Sequence, residues 1–222
     1  LLEIEENLLD PATYGLKSPY EMPNPQYVTI HNTDEDRSSK FEIQNIVEND
    51  KQVSFHYAVD HSEIWQGVPL NRNAWHAGDG GKGNGNRNSI GIEICYSWSG
   101  GPRYYKAENR ATMLTAYLMH RFNISIQNVK QHFDWSKKHC PRRIRDEGRW
   151  AGFLEKANET YTYYLDENVE KRRKEQQSQR IQIAVGLSVG GICILVVGIL
   201  VLMKLKRSKK EKVGIEMEGL TE

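Results

Sequence analysis

The sequence predicts a mixed α/β domain followed by a single membrane-spanning helix. Short strands of alternating character, above all Tyr27–His31 and Ser89–Tyr96, are separated by helix-length segments that each carry an apolar stripe. The 222 residues, 38% hydrophobic and 27% charged, suffice for one well-buried domain plus appendages. The third observation is a run without a charge from Ile181 to Met203. Its roughly 23 residues exceed the ~20 that cross a hydrocarbon core, whereas a buried core helix would be shorter and keep a polar side.

Taken in order, residues 1–26 carry Pro19, Pro23 and Pro25 among turn formers and read as an irregular arm. The domain proper is expected over 27–158. In the strand Tyr27–His31, Tyr27, Thr29 and His31 share one face and Val28 and Ile30 the other. Asp34 to Ser39 is polar loop, and Ser38 or Ser39 can cap a helix striped by Phe41, Ile43, Ile46 and Val47. Val53 to Asp60 alternates as a strand, with Glu63–Gln66 returning after a turn at His61-Ser62. Asn71 to Asn88, rich in Gly and Asn, reads as loop. In Ser89–Tyr96, Ile90, Ile92 and Ile94 point one way and Gly91, Glu93 and Cys95 the other. Ala107 to Phe122 places Ala111, Leu114, Leu118 and Phe122 at helical spacing, a helix that should pack on the sheet. Val129–His132 is a further extended segment, and a helix begins near Arg149-Trp150 after Gly148. Residues 159–180 form a charged helical stalk or linker, 181–203 the membrane helix, and 204–222 a basic then acidic tail.

A formal net charge of +1 gives no reason to expect a nucleic-acid partner. Three cysteines are too few for a disulfide framework. Cys193 lies in the apolar run and Cys95 reads as a buried filler, which leaves Cys140 as the cysteine placed beside histidines. Basic residues flank both ends of 181–203, so charge only weakly favours a cytoplasmic C-terminus. Gly186 and Gly190 have the small-xxx-small spacing of a helix-pairing face, compatible with a weak dimer. No cleavable export signal stands in Leu1–Glu6, and without an initiator Met an upstream segment is compatible with the sequence.

His31, His132 and Cys140 are two imidazoles and a thiol of the types that suit zinc, with a fourth tetrahedral position left for water, the pattern of a catalytic site. The alternatives are hydrogen-bonded histidines and a buried thiol. A hydrolase also needs a proton shuttle, and Glu93, a carboxylate on an apolar strand, is the candidate, with a salt bridge to Arg87 or Arg72 as its structural alternative. Lys138 can reach the vicinity and offset negative charge, or be a solvated lysine like Lys137. The glycine-rich stretch Gly78–Asn86 lacks the spacing and the Lys-Ser/Thr of a phosphate loop and reads as a flexible groove rim.

The segments Tyr27–Thr33, Ser54–Asp60, Asn73–Gly80, Asn86–Cys95 and Gln131–Pro141 closely resemble the zinc-dependent type-2 N-acetylmuramoyl-L-alanine amidases, in particular those of Gram-positive phage endolysins and prophage autolysins. The same fold underlies peptidoglycan recognition proteins. The resemblance spans roughly residues 7 to 158. It implies an α+β domain with a central mixed β-sheet flanked by helices, zinc held by His31, His132 and Cys140, and Glu93 as the catalytic carboxylate. It also implies Lys138 at the oxyanion-assisting position, and hydrolysis of the amide between the lactyl group of N-acetylmuramic acid and L-alanine in peptidoglycan. Trp75 and His76 look like groove residues that contact glycan or peptide, or else a pair that braces the glycine-rich loop.

Two departures matter. Phe55 precedes His56 where some relatives carry a catalytic Tyr, so proton transfer rests more heavily on Glu93. Endolysins more often end in a cell-wall-binding module than in a membrane helix. The function expected is therefore a membrane-anchored, single-pass cell-wall amidase, its domain facing the wall. A tethered, non-catalytic peptidoglycan receptor is the rival reading, and a prophage remnant fused by frameshift to a membrane tail is a third.

Overall fold

The alternating segments form strands and the striped ones helices, in a computed structural model that describes residues 2–180. In chain order these are β1 (Glu5–Glu6), α1 (Tyr14–Lys17), β2 (Tyr27–Asn32), α2 (Ser39–Glu48), β3 (Tyr57–Val59), β4 (Ile64–Gln66), α3 (Asn84–Asn88), β5 (Ser89–Ile94), α4 (Gly101–Phe122), β6 (Val129–Gln131), α5 (His132–Ser136) and α6 (Arg142–Asp146). Residues 150–180 are also helical. Of the described residues, 2–166 make one compact unit and 167–180 belong to a second.

The six strands form one sheet in the order β1-β4-β3-β5-β2-β6. Only β3 and β4, joined by the expected hairpin, run antiparallel. Its centre is the parallel pair β2–β5, in a register that sets Val28 opposite Ile90 and Ile30 opposite Ile92. These side chains, with Ile94, are fully buried. They form the apolar face, and α4 packs against it through Tyr104, Ala111, Leu114 and Leu118. Removing that apolar surface from water is the main favourable term in the fold. Phe153 and Ala157, from the helix that opens at 150, are buried as well.

The opposite face of β2 and β5 carries Thr29, His31, Ser89, Gly91 and Glu93. It is polar yet also buried, because loops close over it and α2 borders the cleft left there. A polar face buried inside a fold must find partners for its groups, which is why the site lies on this side.

Some segments differ from expectation for local reasons. Residues 1–26 contribute β1, which pairs parallel with β4, and Lys17, whose ammonium is buried against Asn49 Oδ1 and the Lys51 carbonyl, each at 2.9 Å. Phe41 is exposed beneath the Arg37 guanidinium, so the buried stripe of α2 narrows to Ile43 and Ile46. The strand at 53–60 shrinks to Tyr57–Val59, since Ser54 turns its hydroxyl inward to the Lys17 carbonyl at 2.6 Å. The last five residues of the Asn71–Asn88 stretch coil into α3. The helix expected from Ala107 begins at Gly101, with Pro102 in its first turn where a missing N–H costs nothing. Among the described residues no helix is long and apolar enough to cross a membrane. The expected span 181–203, with Gly186 and Gly190, lies outside the described residues.

Candidate metal centre

Three parallel strands deliver the site. The β2–β5 register sets His31 opposite Glu93 at the C-terminal ends of the two central strands. On the other side of β2, Gln131 pairs with Ile30, so the next residue, His132, arrives level with His31. The chain then turns through α5, whose first turn is closed by the Gln131 N–H donating to Asp134 Oδ2 at 2.8 Å. It doubles back through Lys137, whose positive φ of 65° ends the helix. The Phe133 N–H donates to the Cys140 carbonyl at 3.0 Å, and this closure returns Cys140 to the side of His132.

The ligand-type atoms of His31, His132 and Cys140 consequently lie within 4.8 Å of one another, all three residues buried. His31 Nδ1 is 3.0 Å from His132 Nδ1 and 3.8 Å from Cys140 Sγ. A tetrahedral zinc with ordinary Zn–N and Zn–S bonds separates such donors by about 3.3–3.6 Å, a range that the 3.0 and 3.8 Å separations bracket, and two imidazoles with a thiol are a donor set that suits that ion. The Asn32 N–H donates to Cys140 Sγ at 3.4 Å, a contact that favours a thiolate. The His132 ring is hydrogen-bonded to the Ala77 backbone. Burial pushes the Cys140 thiol up to about 12, while burial and then the neighbouring imidazoles hold His31 well below its ordinary value. Neutral imidazoles are the ligating form, and a nearby cation reverses the penalty on the thiolate.

Glu93 Oε1 is 3.9 Å from His31 Nδ1, and Oε2 is buried without a hydrogen-bond partner. Neither arginine suggested as its salt-bridge partner pairs with it. Arg72 bonds the Ser18 carbonyl and lies over Tyr14, and Arg87 lies over Tyr20. Burial, and secondarily the charge of Glu42, raises the Glu93 carboxyl to about 8. Lys138 stands at the rim, half exposed, its Nζ 3.5 Å from Asp34 Oδ2. These groups line one cleft of about 470 Å³, together with Trp75, His76, Phe55, Glu42 and Arg37.

The structure thus brings His31, His132, Cys140, Glu93 and Lys138 to one place. Trp75 lies in the cleft wall, its Nε1–H donating to the Leu16 carbonyl at 3.0 Å. His76 lines the cleft too, but both its ring nitrogens are engaged by protein: Nδ1 is 2.9 Å from His31 Nε2, and Nε2 is 3.2 Å from the Ser89 carbonyl. Cys95 is buried beside Val59, away from the cluster. The glycine-rich stretch, expected as a flexible rim, is pinned: Asp79 accepts from the Gly85 and Asn86 N–H groups at 2.7 and 3.0 Å. Sequence reasoning missed Asn32, Asp34 and Asn86. Asn32 and Asp34 flank His31 closely, but contacts from opposite ends of the chain give no local signal.

These burials have a consequence for acid stability. Burial lowers His56 and His132 to about 4 and His76 to about 3. Between pH 6.5 and about 4 the unfolded chain therefore binds more protons than the folded one, and stability is lost as pH falls through that window. At pH 5 each of the three costs on the order of 2 kcal/mol, more together than the opposing contributions of Glu93 and Glu42, whose carboxyls burial raises to about 8 and about 7. The urea midpoint of the metal-free protein should fall markedly from pH 7 to pH 5. An unchanged midpoint would show that these rings are not held neutral.

Comparison with known proteins follows the same region. The sequence profile of the family described as N-acetylmuramoyl-L-alanine amidase matches residues 21–143. The N-acetylmuramoyl-L-alanine amidase XlyB of Bacillus subtilis (strain 168) is 51% identical over 149 residues, 67% of this chain and 47% of its own length. CwlA of the same organism, also an N-acetylmuramoyl-L-alanine amidase, is 49% identical over 149 residues, 67% of this chain and 54% of its own. The chain thus spans about half the length of these curated relatives. The solved structure of PlyL superposes with a TM-score of 0.68 at 50% identity, covering 70% of this chain and 97% of PlyL.

Proposed function

The chain belongs to the N-acetylmuramoyl-L-alanine amidase family, and from that premise we propose that it is a zinc-dependent cell-wall amidase. It hydrolyses the amide between N-acetylmuramic acid and the L-alanine of the stem peptide. The observation that carries this reading is the convergence of His31, His132 and Cys140 at one end of a cleft with the carboxylate of Glu93 beside them.

His31, His132 and Cys140 would hold the zinc, which when bound lowers the pKa of water and polarises a carbonyl. The remaining work falls to the chain's own side chains. Glu93, beside the ligand His31, can as its carboxylate take a proton from the attacking water and return it to the amide nitrogen as the C–N bond breaks. The products are then a free lactyl carboxylate and a free L-alanine amine. Lys138 Nζ, at the open rim, offers positive charge to the carbonyl oxygen as it becomes negative. Trp75 presents an indole edge from the cleft wall for glycan or peptide to rest against.

The uncharged run 181–203 supports anchoring in the cell membrane, single-pass, with the domain on the wall side where the substrate lies and with helix pairing through Gly186 and Gly190. Carbonate extraction that released the full-length chain from membranes would defeat the anchor. For the activity, the zinc-loaded chain acting on purified peptidoglycan should generate new L-alanine amino termini without new reducing sugar ends. New reducing ends instead would assign a different bond and defeat the amidase reading.

A further inference from the structure

We propose that His76 and Ala77, at the entrance of the glycine-rich loop, are a positioning element that sets the tautomer of both imidazole ligands. The inference rests on the zinc reading above.

A carbonyl only accepts, so the His76 Nε2 that lies 3.2 Å from the Ser89 carbonyl carries a hydrogen. His76 is buried with no carboxylate among its hydrogen-bond partners, so its ring is neutral and its Nδ1 is a bare acceptor. That Nδ1 sits 2.9 Å from His31 Nε2, which must therefore donate. His31 Nδ1 is left bare, and it is this atom that faces His132 Nδ1 and Cys140 Sγ. His132 turns Nδ1 to His31 and Nε2 toward Gly78, and its ring bonds the backbone of Ala77, whose N–H is already given to Asn86; a hydrogen on Nε2 directed to the Ala77 carbonyl leaves Nδ1 bare as well.

Two lone pairs facing each other across 3.0 Å repel unless a cation lies between them. Hydrogen bonds from outside the ligand set commonly fix ring orientation in this way at metal sites. Here one dipeptide does so for both rings, and its own place is fixed from two sides. The N–H groups of His76 and Ala77 both donate to Asn86 Oδ1, at 2.9 and 2.8 Å, and Asn86 is in turn clipped by Asp79. On the sheet side Gly91 leaves the slot for the His76 ring, because a Cβ there would stand 2.8 Å from His76 Cγ. The glycine-rich loop thus gains a role that its sequence did not disclose.

The test measures zinc affinity of the full chain by competition with a chelator, for the native protein and for His76→Leu and His76→Gln. Leucine fills the space without an acceptor, and affinity should drop about 10- to 100-fold. Glutamine can accept from His31 Nε2–H and donate to the Ser89 carbonyl, and should remain within about 5-fold of the native protein. Cobalt-substituted spectra should be native-like for His76→Gln and altered for His76→Leu. If the leucine variant does not fold, Asn86→Ala, which keeps His76 and both ligand histidines but frees the backbone of His76 and Ala77, should still weaken zinc about 10-fold. Equal affinity for native and leucine proteins, or a glutamine variant no better than leucine, overturns the inference. A raised KM with zinc affinity unchanged overturns it in favour of substrate contact. A native chain that binds no zinc overturns the metal reading itself.

Discussion

Cys140→Ser is expected to weaken zinc retention by about a thousandfold or more and to abolish cell-wall clearing with it. The thiol is buried, one backbone N–H points at its sulfur, and its partners are two neutral imidazoles. A serine hydroxyl does not ionise near neutral pH, so the site would lose its anionic ligand and the charge that offsets a dication. The substitution is nearly isosteric, and the fold of the metal-free protein should persist. Zinc content after gel filtration, read beside the unfolding midpoint, decides the matter: a fully loaded, active Cys140→Ser protein would remove Cys140 from the ligand set.

Glu93→Gln is expected to do the reverse, keeping zinc within a few-fold while lowering the hydrolytic rate about 10²- to 10⁴-fold. Glutamine keeps the shape but can neither take nor return a proton. A second readout is independent of activity. The folded-state carboxyl is raised from 4.5 to about 8, so the folded chain holds its proton longer than the unfolded one. Its stabilising contribution is full below pH 4.5 and is lost as pH rises through 8, where the charged form must stay buried. The native metal-free protein should therefore lose more stability from pH 6 to pH 9 than the glutamine variant, by up to a few kcal/mol. Parallel urea midpoints for the two proteins would mean that Glu93 is not held protonated, and its place as proton shuttle would fall with that.

Much of this was legible along the chain. Alternation in Ser89–Tyr96 told which face Glu93 shares with Gly91, and the structure agrees. The stripe Ala111, Leu114, Leu118 identified the helix that covers the sheet. His31, His132 and Cys140 were recognisable by residue type and by the motifs around them. Less legible were segments whose hydrogen bonds go to distant residues. Residues 5–6 become a strand only because β4 offers an edge, and residues 53–56 leave the strand because Ser54 bonds Lys17. Glu93 has two nearby arginines in sequence, and both are drawn off to the loop containing Ser18 and Tyr20.

His76 marks the boundary most clearly. Its sequence neighbourhood, beside Trp75 and ahead of a glycine-rich run, suggested a groove contact or a brace. Its partners in space are His31, forty-five residues earlier in the chain, and the Ser89 carbonyl. By itself the sequence determined which side chains are of the types that suit a metal or a proton transfer, and which faces of strands and helices are apolar, because ligand chemistry and periodicity are local properties. Only the tertiary structure decided the parallel register that sets His31 against Glu93, the closure that returns Cys140, and the hydrogen-bond chain that leaves two ring nitrogens bare. The register and the imidazole pair join residues far apart in the chain, His31 and His132 by 101 positions, and pairing and burial fix them together where no local pattern encodes them.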